Sequence, residues 1–292
     1  MGANPTTPIK IYFMNNIEII KSTGEKEPFK PEKIIETCLR IGLPEKMAKN
    51  IAEIVASKVH SGMTTKEIYS IVFELLKKEN SGFAARYSLR EALFRLGPLG
   101  FNFEHYIAAV LKAYGYQTEF PPLLKGACIQ HEVDIIAEKD GRKFMVECKW
   151  RKSLDIFINV KDVLSTWARF LDLIDGSALG LCPHFDQLWI ITNSQFSLDS
   201  LHYAQCKNIA ILSWNYPPNM PLPRWIDAKG LYPMTVLFKL GSELIPYFIK
   251  GEILLVRDLV DLPLDELKQR TSLSEKDLLP LIEEAKSVLS IK

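Results

Sequence analysis

Three charged residues of this 292-residue chain are spaced in a way that chemistry can use: Asp134, Glu147 and Lys149. The run His131–Lys139 leads into Asp140-Gly141 and returns as Arg142–Trp150. An Asp-Gly pair between two apolar runs is a strong hairpin signal, because a type I′ turn needs positive φ at both central residues. With Asp140-Gly141 as the turn, opposed residue numbers sum to 281, which places Asp134 across from Glu147. Directly opposed side chains lie about 4.5–5.5 Å apart at Cβ. Two carboxylates held that close repel unless a cation sits between them. Period-two alternation puts Lys149 on the face of Glu147 and turns Val146 and Cys148 to the other face. A hard divalent ion takes oxygen ligands, and an ammonium beside it can orient a water or steady a developing phosphoryl charge. The pattern therefore points to metal-assisted hydrolysis of a phosphodiester.

The same three charges could line the solvated face of an ordinary hairpin. Their surroundings weigh against that, because the flanking residues are rich in Val, Ile, Phe and Met, as in central, largely buried strands. A like-charged pair there is costly unless it is coordinated. Glu132 falls opposite Lys149 in the extended register and is the expected ion-pair partner of that lysine.

Asp134 and Glu147-x-Lys149, the upstream Phe103-Glu104 with Leu111 and Gly115-Tyr116, and the later apolar run Leu188–Asn193 together resemble the PD-(D/E)xK nuclease core, most nearly the Mrr-type restriction endonucleases. The resemblance runs over residues 101–216 and implies a Mg2+-dependent DNA endonuclease, with Mn2+ as a substitute ion. It implies that Asp134 and Glu147 bind the metal, with the carbonyl of Cys148 as a further ligand, and that Lys149 assists the attacking water. Glu104, at the start of the first helix, would complete the site. Val133 stands where the family often has proline. The family's next helix often adds a polar residue, and Asp155, Asn159 and Lys161 are the candidates. Two other functions fit the same core: a non-catalytic, nucleotide-sensing DNA-binding regulator, and a resolvase of branched DNA. Cutting both strands takes two active sites, so a homodimer is the expected assembly.

Composition narrows the field. The 36 basic and 35 acidic residues leave a net charge of +1, so any nucleic-acid surface is a local patch and not a global field. Lys139, Arg142 and Lys143, then Lys149, Arg151 and Lys152, would supply such a patch around the site. The five cysteines, 38, 128, 148, 182 and 206, form no CxxC pair, which fits a reducing cytoplasm. Cys128-x-x-His131 and Cys182-Pro183-His184 would each give two zinc ligands, without a fuller constellation. No signal peptide and no apolar run of about 18 residues is seen, so no membrane partner is expected.

Around the hairpin, the expected fold class is α/β and multi-domain. Phe103–Tyr114 and Val160–Leu173 are amphipathic helices; Trp189–Thr192 is a strand, Ser197–Cys206 a helix and Ile209–Leu212 a last strand. Strands interleaved with covering helices imply a mixed sheet, with the active residues gathered where the ends of the hairpin diverge. Upstream, Ile9–Phe13 and Ile17–Lys21 read as a hairpin around Asn15-Asn16, followed by a turn at Ser22-Thr23-Gly24 and helices opened by Pro31 and by Thr64-Thr65. Ile20-Lys21, Gly24, Phe29, Lys33-Ile34, Thr64-Thr65 and Ala84, Tyr87 and Arg90 resemble the ATP-cone, a nucleotide-sensing module, over residues 9–97. That likeness implies that Lys21 and Lys33 contact ATP or dATP, although Ser22 replaces a basic residue usual in the family. Gly97-Pro98-Leu99-Gly100 marks a boundary, and the proline-rich run 217–223 a second one. The remainder to residue 292 reads as a mostly helical region whose two last helices faintly resemble a helix-hairpin-helix DNA module, without its glycines.

Overall fold

The structure, a computed structural model, describes residues 17–97, 103–153 and 156–291. The expected strand Ile9–Phe13, the break at Pro98-Leu99-Gly100 and the candidate Asp155 lie outside these residues. Contacts divide the chain into two compact units, one reaching to Ser88 together with Ser287 onward, the other running from Leu89 to Lys286.

The first unit opens with β1 (Glu18–Ile20) antiparallel to β2 (Lys26–Pro28), joined by a turn in which Gly24 takes φ +85°. Four helices follow: α1 (Pro31–Arg40), α2 (Glu45–Ala56), α3 (Thr65–Glu79) and α4 (Ser81–Tyr87). Pro31 starts α1, where its missing N–H is no loss. Thr64 and Glu67 form a capping box that satisfies the free amides at the start of α3. The apolar faces of these helices meet in one core that contains Phe29, Ile34, Ile51, Val55, Val72 and Leu76. Phe29 and Ile34 are thus core residues, while Tyr87 stacks on Tyr69 with ring centroids 4.9 Å apart.

The end of the chain completes this unit. Arg86 is 8% exposed, and its guanidinium donates to the carbonyls of Val288 (2.9 Å), Ile291 (2.6 Å) and Ile41 (3.3 Å). Ser287 Oγ donates to Asn80 Oδ1 at 2.9 Å.

The second unit starts with α5 (Leu89–Leu96) and α6 (Phe103–Ala113). Strands β3 (Gln117–Glu119), β4 (Leu124–Lys125), β5 (Gln130–His131), β6 (Ile135–Lys139) and β7 (Arg142–Lys149) follow. Then come α7 (Val160–Ala178), β8 (Gln187–Thr192), α8 (Leu198–Cys206) and β9 (Ala210–Leu212). Five strands form one mixed sheet in the order β3-β6-β7-β8-β9, antiparallel from β3 to β7 and parallel from β7 to β9. β7 is central and its residues Phe144 to Cys148 are all buried, which explains its nearly continuous apolar composition. One face, with Ile136, Met145 and Ile190, packs on Phe170 and Leu173 of α7. The other face is covered by α6, whose Tyr106, Ile107, Val110 and Leu111 are buried.

After the sheet come α9 (Leu222–Lys229), a 3₁₀ turn at Met234–Val236, α10 (Ile245–Lys250), α11 (Asp258–Asp261), α12 (Leu264–Thr271) and α13 (Glu275–Leu289). This region is tied to α5 and α6: Tyr106 Oη donates to Leu231 O at 2.8 Å, Tyr114 Oη, just past α6, to Trp225 O at 2.9 Å and Thr235 Oγ1 to Ala92 O at 2.8 Å.

The Arg86 contacts lead to a stability prediction. Arg86→Ala would leave carbonyls of Ile41, Val288 and Ile291 without this donor. Orphaning a buried acceptor costs about 1–3 kcal/mol, so the first unit should unfold at clearly lower denaturant while the second is unchanged. Urea unfolding followed by hydrogen exchange in each unit measures this; coincident curves for the two proteins would contradict it.

Candidate functional site

The hairpin forms in the register read from the sequence. Asp140 and Gly141 take φ +53° and +73°, and the pairs run from Lys139↔Arg142 to Ile135↔Val146. Asp134 stands one residue beyond the ladder, at a bend, so that continuing the register brings it opposite Glu147. The strand is shorter than expected: Gln130–His131 leave it to pair with Leu124–Lys125. Glu132 is consequently exposed and outside the ladder, and the partner of Lys149 is Glu147, not Glu132.

Each acid is placed by its own contacts. Asp134 Oδ2 accepts the Cys148 amide at 2.7 Å, which locks the carboxylate against β7. Glu147 is 4% exposed, and its Oε1 meets both Lys149 Nζ and Arg169 Nη2, the latter at 2.5 Å. Its other oxygen, Oε2, is buried with no hydrogen-bond partner. A carboxylate with one oxygen doubly paired and the other orphaned in the interior is unusual, since buried polar atoms are almost always satisfied.

Burial first, then the neighbouring carboxylate of Glu147 and that of Glu104, push the Asp134 carboxyl up to about 7, against the opposing pull of the Cys148 amide and Lys149. Glu104, in the first turn of α6, thus acts on Asp134 through its charge. The Cys148 thiol is pushed well above its ordinary value by burial and by the same acids, which leaves it unsuited as a nucleophile.

The donor set fits a hard divalent ion. Asp134 and the free oxygen of Glu147 are oxygen ligands, and the Cys148 carbonyl lies in the same strand segment. Among the described residues no three His, Cys, Asp or Glu side chains converge enough to hold a metal by themselves. Mg2+ needs no such cage, because it binds through one or two carboxylates and keeps waters and substrate oxygens for the rest. The zinc half-motifs are otherwise engaged: His131 Nε2 lies 2.7 Å from Asp172, which also accepts the Cys128 amide at 2.8 Å, and Cys182 Sγ donates to Leu173 O.

Several supports are invisible in local sequence. Arg169, on the third turn of α7, also donates through Nη1 to Glu132 O at 3.1 Å. Of the residues expected to contribute from this region, Asn159 caps α7 and Lys161 is exposed. Thr192 Oγ1 donates to the carbonyl of Lys149 at 2.5 Å. Asn193, fully buried, clamps the Arg151 backbone from both sides, accepting its N–H and donating to its carbonyl at 2.8 Å each.

The basic patch is not where it was expected. Lys139, Arg142 and Lys143 lie at the turn, the far end of the hairpin from Asp134 and Glu147, because an antiparallel pair carries its loop away from its open end. Lys139 Nζ sits 4.9 Å from the Tyr116 ring and Lys143 pairs with Glu138 at 3.2 Å. Only Lys149, Arg151 and Lys152 remain near the acids in sequence, and Arg151 is paired with Asp162 at 2.8 Å.

In the first unit, Lys21 and Lys33 converge on Glu27, at 3.7 and 3.1 Å, beside the Gly24 turn.

Residues 99–215 match the restriction endonuclease family Mrr_cat, and residues 17–93 match the ATP cone domain. The chain thus carries an ATP-cone domain followed by a restriction-endonuclease domain of the Mrr_cat family. An uncharacterized protein of Archaeoglobus fulgidus is 32% identical over 183 residues, 63% of this chain and 99% of the relative. A crystal structure of a protein of unknown function, 30% identical, aligns with a TM-score of 0.56 over 68% of this chain and 98% of its own. Asp134, Glu147 and Lys149 all lie within the Mrr-type segment. None of the described helices is long and apolar enough to cross a membrane.

The raised Asp134 carboxyl fixes a pH dependence. An unfolded aspartate titrates near 3.8, so between about pH 4 and 7 the metal-free folded protein holds a proton that the unfolded chain has lost. Stability of the metal-free protein therefore falls as pH rises through that window and is level above it. Asp134→Asn, which keeps an acceptor for the Cys148 amide, should flatten this slope and stabilise the metal-free protein at pH 8. Parallel unfolding curves for the two proteins across pH 4 to 8 would refute the assignment.

Proposed function

We propose that the chain is a divalent-metal-dependent DNA endonuclease whose activity answers to ATP or dATP at the cone. One observation carries the reading: an orphaned, buried carboxylate oxygen on Glu147 beside Asp134, with Lys149 touching the same side chain. A binding protein gains nothing from adjacent acids set beside DNA phosphates. In a nuclease, Asp134, Glu147 Oε2 and the Cys148 carbonyl would hold Mg2+ or Mn2+. The ion would supply Lewis acidity and lower the pKa of a bound water.

The chain's own residues supply the rest. The Lys149 ammonium, 24% exposed, reaches solvent and donates a hydrogen bond that orients the attacking water and steadies the phosphoryl oxygens. Thr192 holds the carbonyl of that lysine and Asn193 the backbone of Arg151 two residues on, so its position does not drift. Glu104 adds negative charge near Asp134. DNA would be held through its backbone, giving largely sequence-blind, salt-dependent affinity. At the cone, the Lys21 and Lys33 ammonium groups neutralise Glu27 in the structure and would turn to nucleotide phosphates when these are present. The fusion of a nucleotide-sensing module to a nuclease-like one motivates the regulatory part of the reading.

Incubating supercoiled and branched DNA with the full chain, with and without Mg2+ or Mn2+, tests the core of it. Metal-dependent cleavage should fall by about 10²-fold or more in Lys149→Ala, the scale of a lost catalytic proton or water contact, with DNA binding largely retained. DNA binding without cleavage in every metal would instead identify a regulator. Repeating the assay with ATP tests the cone: the nucleotide effect should vanish in a Lys21→Ala, Lys33→Ala double variant whose nucleotide-free cleavage is intact. An unchanged ATP response in that variant would refute the phosphate role of the two lysines.

A further inference from the structure

We propose that Arg169 makes metal binding conditional on DNA, by holding one positive charge too many against a divalent ion until a phosphodiester arrives. The inference rests on the metal-dependent nuclease reading and adds to it a residue outside the Asp-Glu-Lys set.

Arg169 is not a loose surface cation. Its guanidinium is fixed at Glu147 Oε1, at 2.5 Å, and at the Glu132 carbonyl, at 3.1 Å, so it bridges the two chain segments that carry the acids. Lys149 Nζ meets the same Oε1. Two cations therefore crowd one oxygen of the carboxylate whose other oxygen has no partner. An anchor for Glu147 would need only one of them.

Charge explains the second. Asp134, Glu147 and Glu104 together carry three negative charges when ionised, and Lys149 and Arg169 two positive ones. Arg151 is offset by Asp162. A divalent ion alone overfills this set by one positive charge. A phosphodiester brings one negative charge, so the site is balanced only with metal and DNA together. With a neutral residue at 169, the metal alone achieves balance. Because linkage is reciprocal, whatever factor DNA adds to metal affinity the metal adds to DNA affinity. The device would keep the DNA-free protein from holding a loaded, hydrolysis-competent ion.

The test is Mn2+ binding by the full chain, read by electron paramagnetic resonance, alone and with a short duplex whose phosphorothioate linkages resist cleavage. Wild type should bind Mn2+ weakly alone and at least about tenfold more tightly with the duplex. Arg169→Gln keeps a donor for Glu147 but loses the charge, and should bind Mn2+ about tenfold more tightly than wild type without DNA, the order expected for one nearby charge in a partly solvated site. DNA should then add little. Arg169→Lys, which keeps the charge, should track wild type and controls for local misfolding. Equal or weaker Mn2+ binding by Arg169→Gln, with binding lost in Glu147→Gln, would leave the nuclease reading standing and overturn the coupling. No Mn2+ binding by any of these proteins, with or without the duplex, would overturn the metal reading itself and the coupling with it.

Discussion

Two carboxylates brought together inside a protein are the constraint around which the second unit is arranged. Asp134, just before β6 begins, comes opposite Glu147 of β7, and each is held in place: one by the Cys148 amide, the other by Lys149 and Arg169. Burying like charges costs energy that hydrophobic residues at the same positions would not. In the proposed nuclease, the unsatisfied oxygen of Glu147 would be the part of the site that a metal ion completes.

The surrounding architecture is the means of keeping this cost local. β7 lies at the centre of the sheet, so Glu147 and Lys149 sit on a strand flanked on both sides and covered on both faces. α7 packs its apolar side on Met145 and Ile190 and at the same time brings Arg169 to Glu147. β8 runs parallel to β7 and ends in Thr192 and Asn193, whose side chains brace Lys149 and Arg151. Strand β7 and helix α7 thus hold Glu147, Lys149 and Arg169, while Asp134 sits at the bend just before β6 and is pinned by the Cys148 amide. In the first unit, Lys21 and Lys33 converge on Glu27 beside a glycine turn.

What could be read from the sequence was whatever depends on neighbours in the chain. Asp140-Gly141 specified its turn and through it the pairing of β6 with β7, because positive φ is demanded of two adjacent residues. The capping box at Thr64 and the proline at the head of α1 were legible for the same reason. The early departure of the chain at Gln130–His131 was not, since it depends on β4, and so Glu132 was assigned a partner that Glu147 takes. Arg169 lies far from Glu147 in sequence and is brought close only when α7 lies on the sheet; its place beside the buried stripe of Val163, Thr166, Phe170 and Leu173 was the available clue. The lysines of the turn were counted into the site by sequence proximity, although a hairpin places its loop at the end opposite its open termini. Arg86 reaching the carbonyls of Val288 and Ile291 is likewise a contact between distant segments that no local pattern encodes.

The most direct measurement is anomalous diffraction from crystals of the full chain soaked in Mn2+. A peak is expected between Asp134 and Glu147, with Oε2 of Glu147 within about 2.0–2.3 Å of the ion, as oxygen ligands of such hard cations are. An ordered Mn2+ bound elsewhere, with that oxygen still touching nothing, would contradict it.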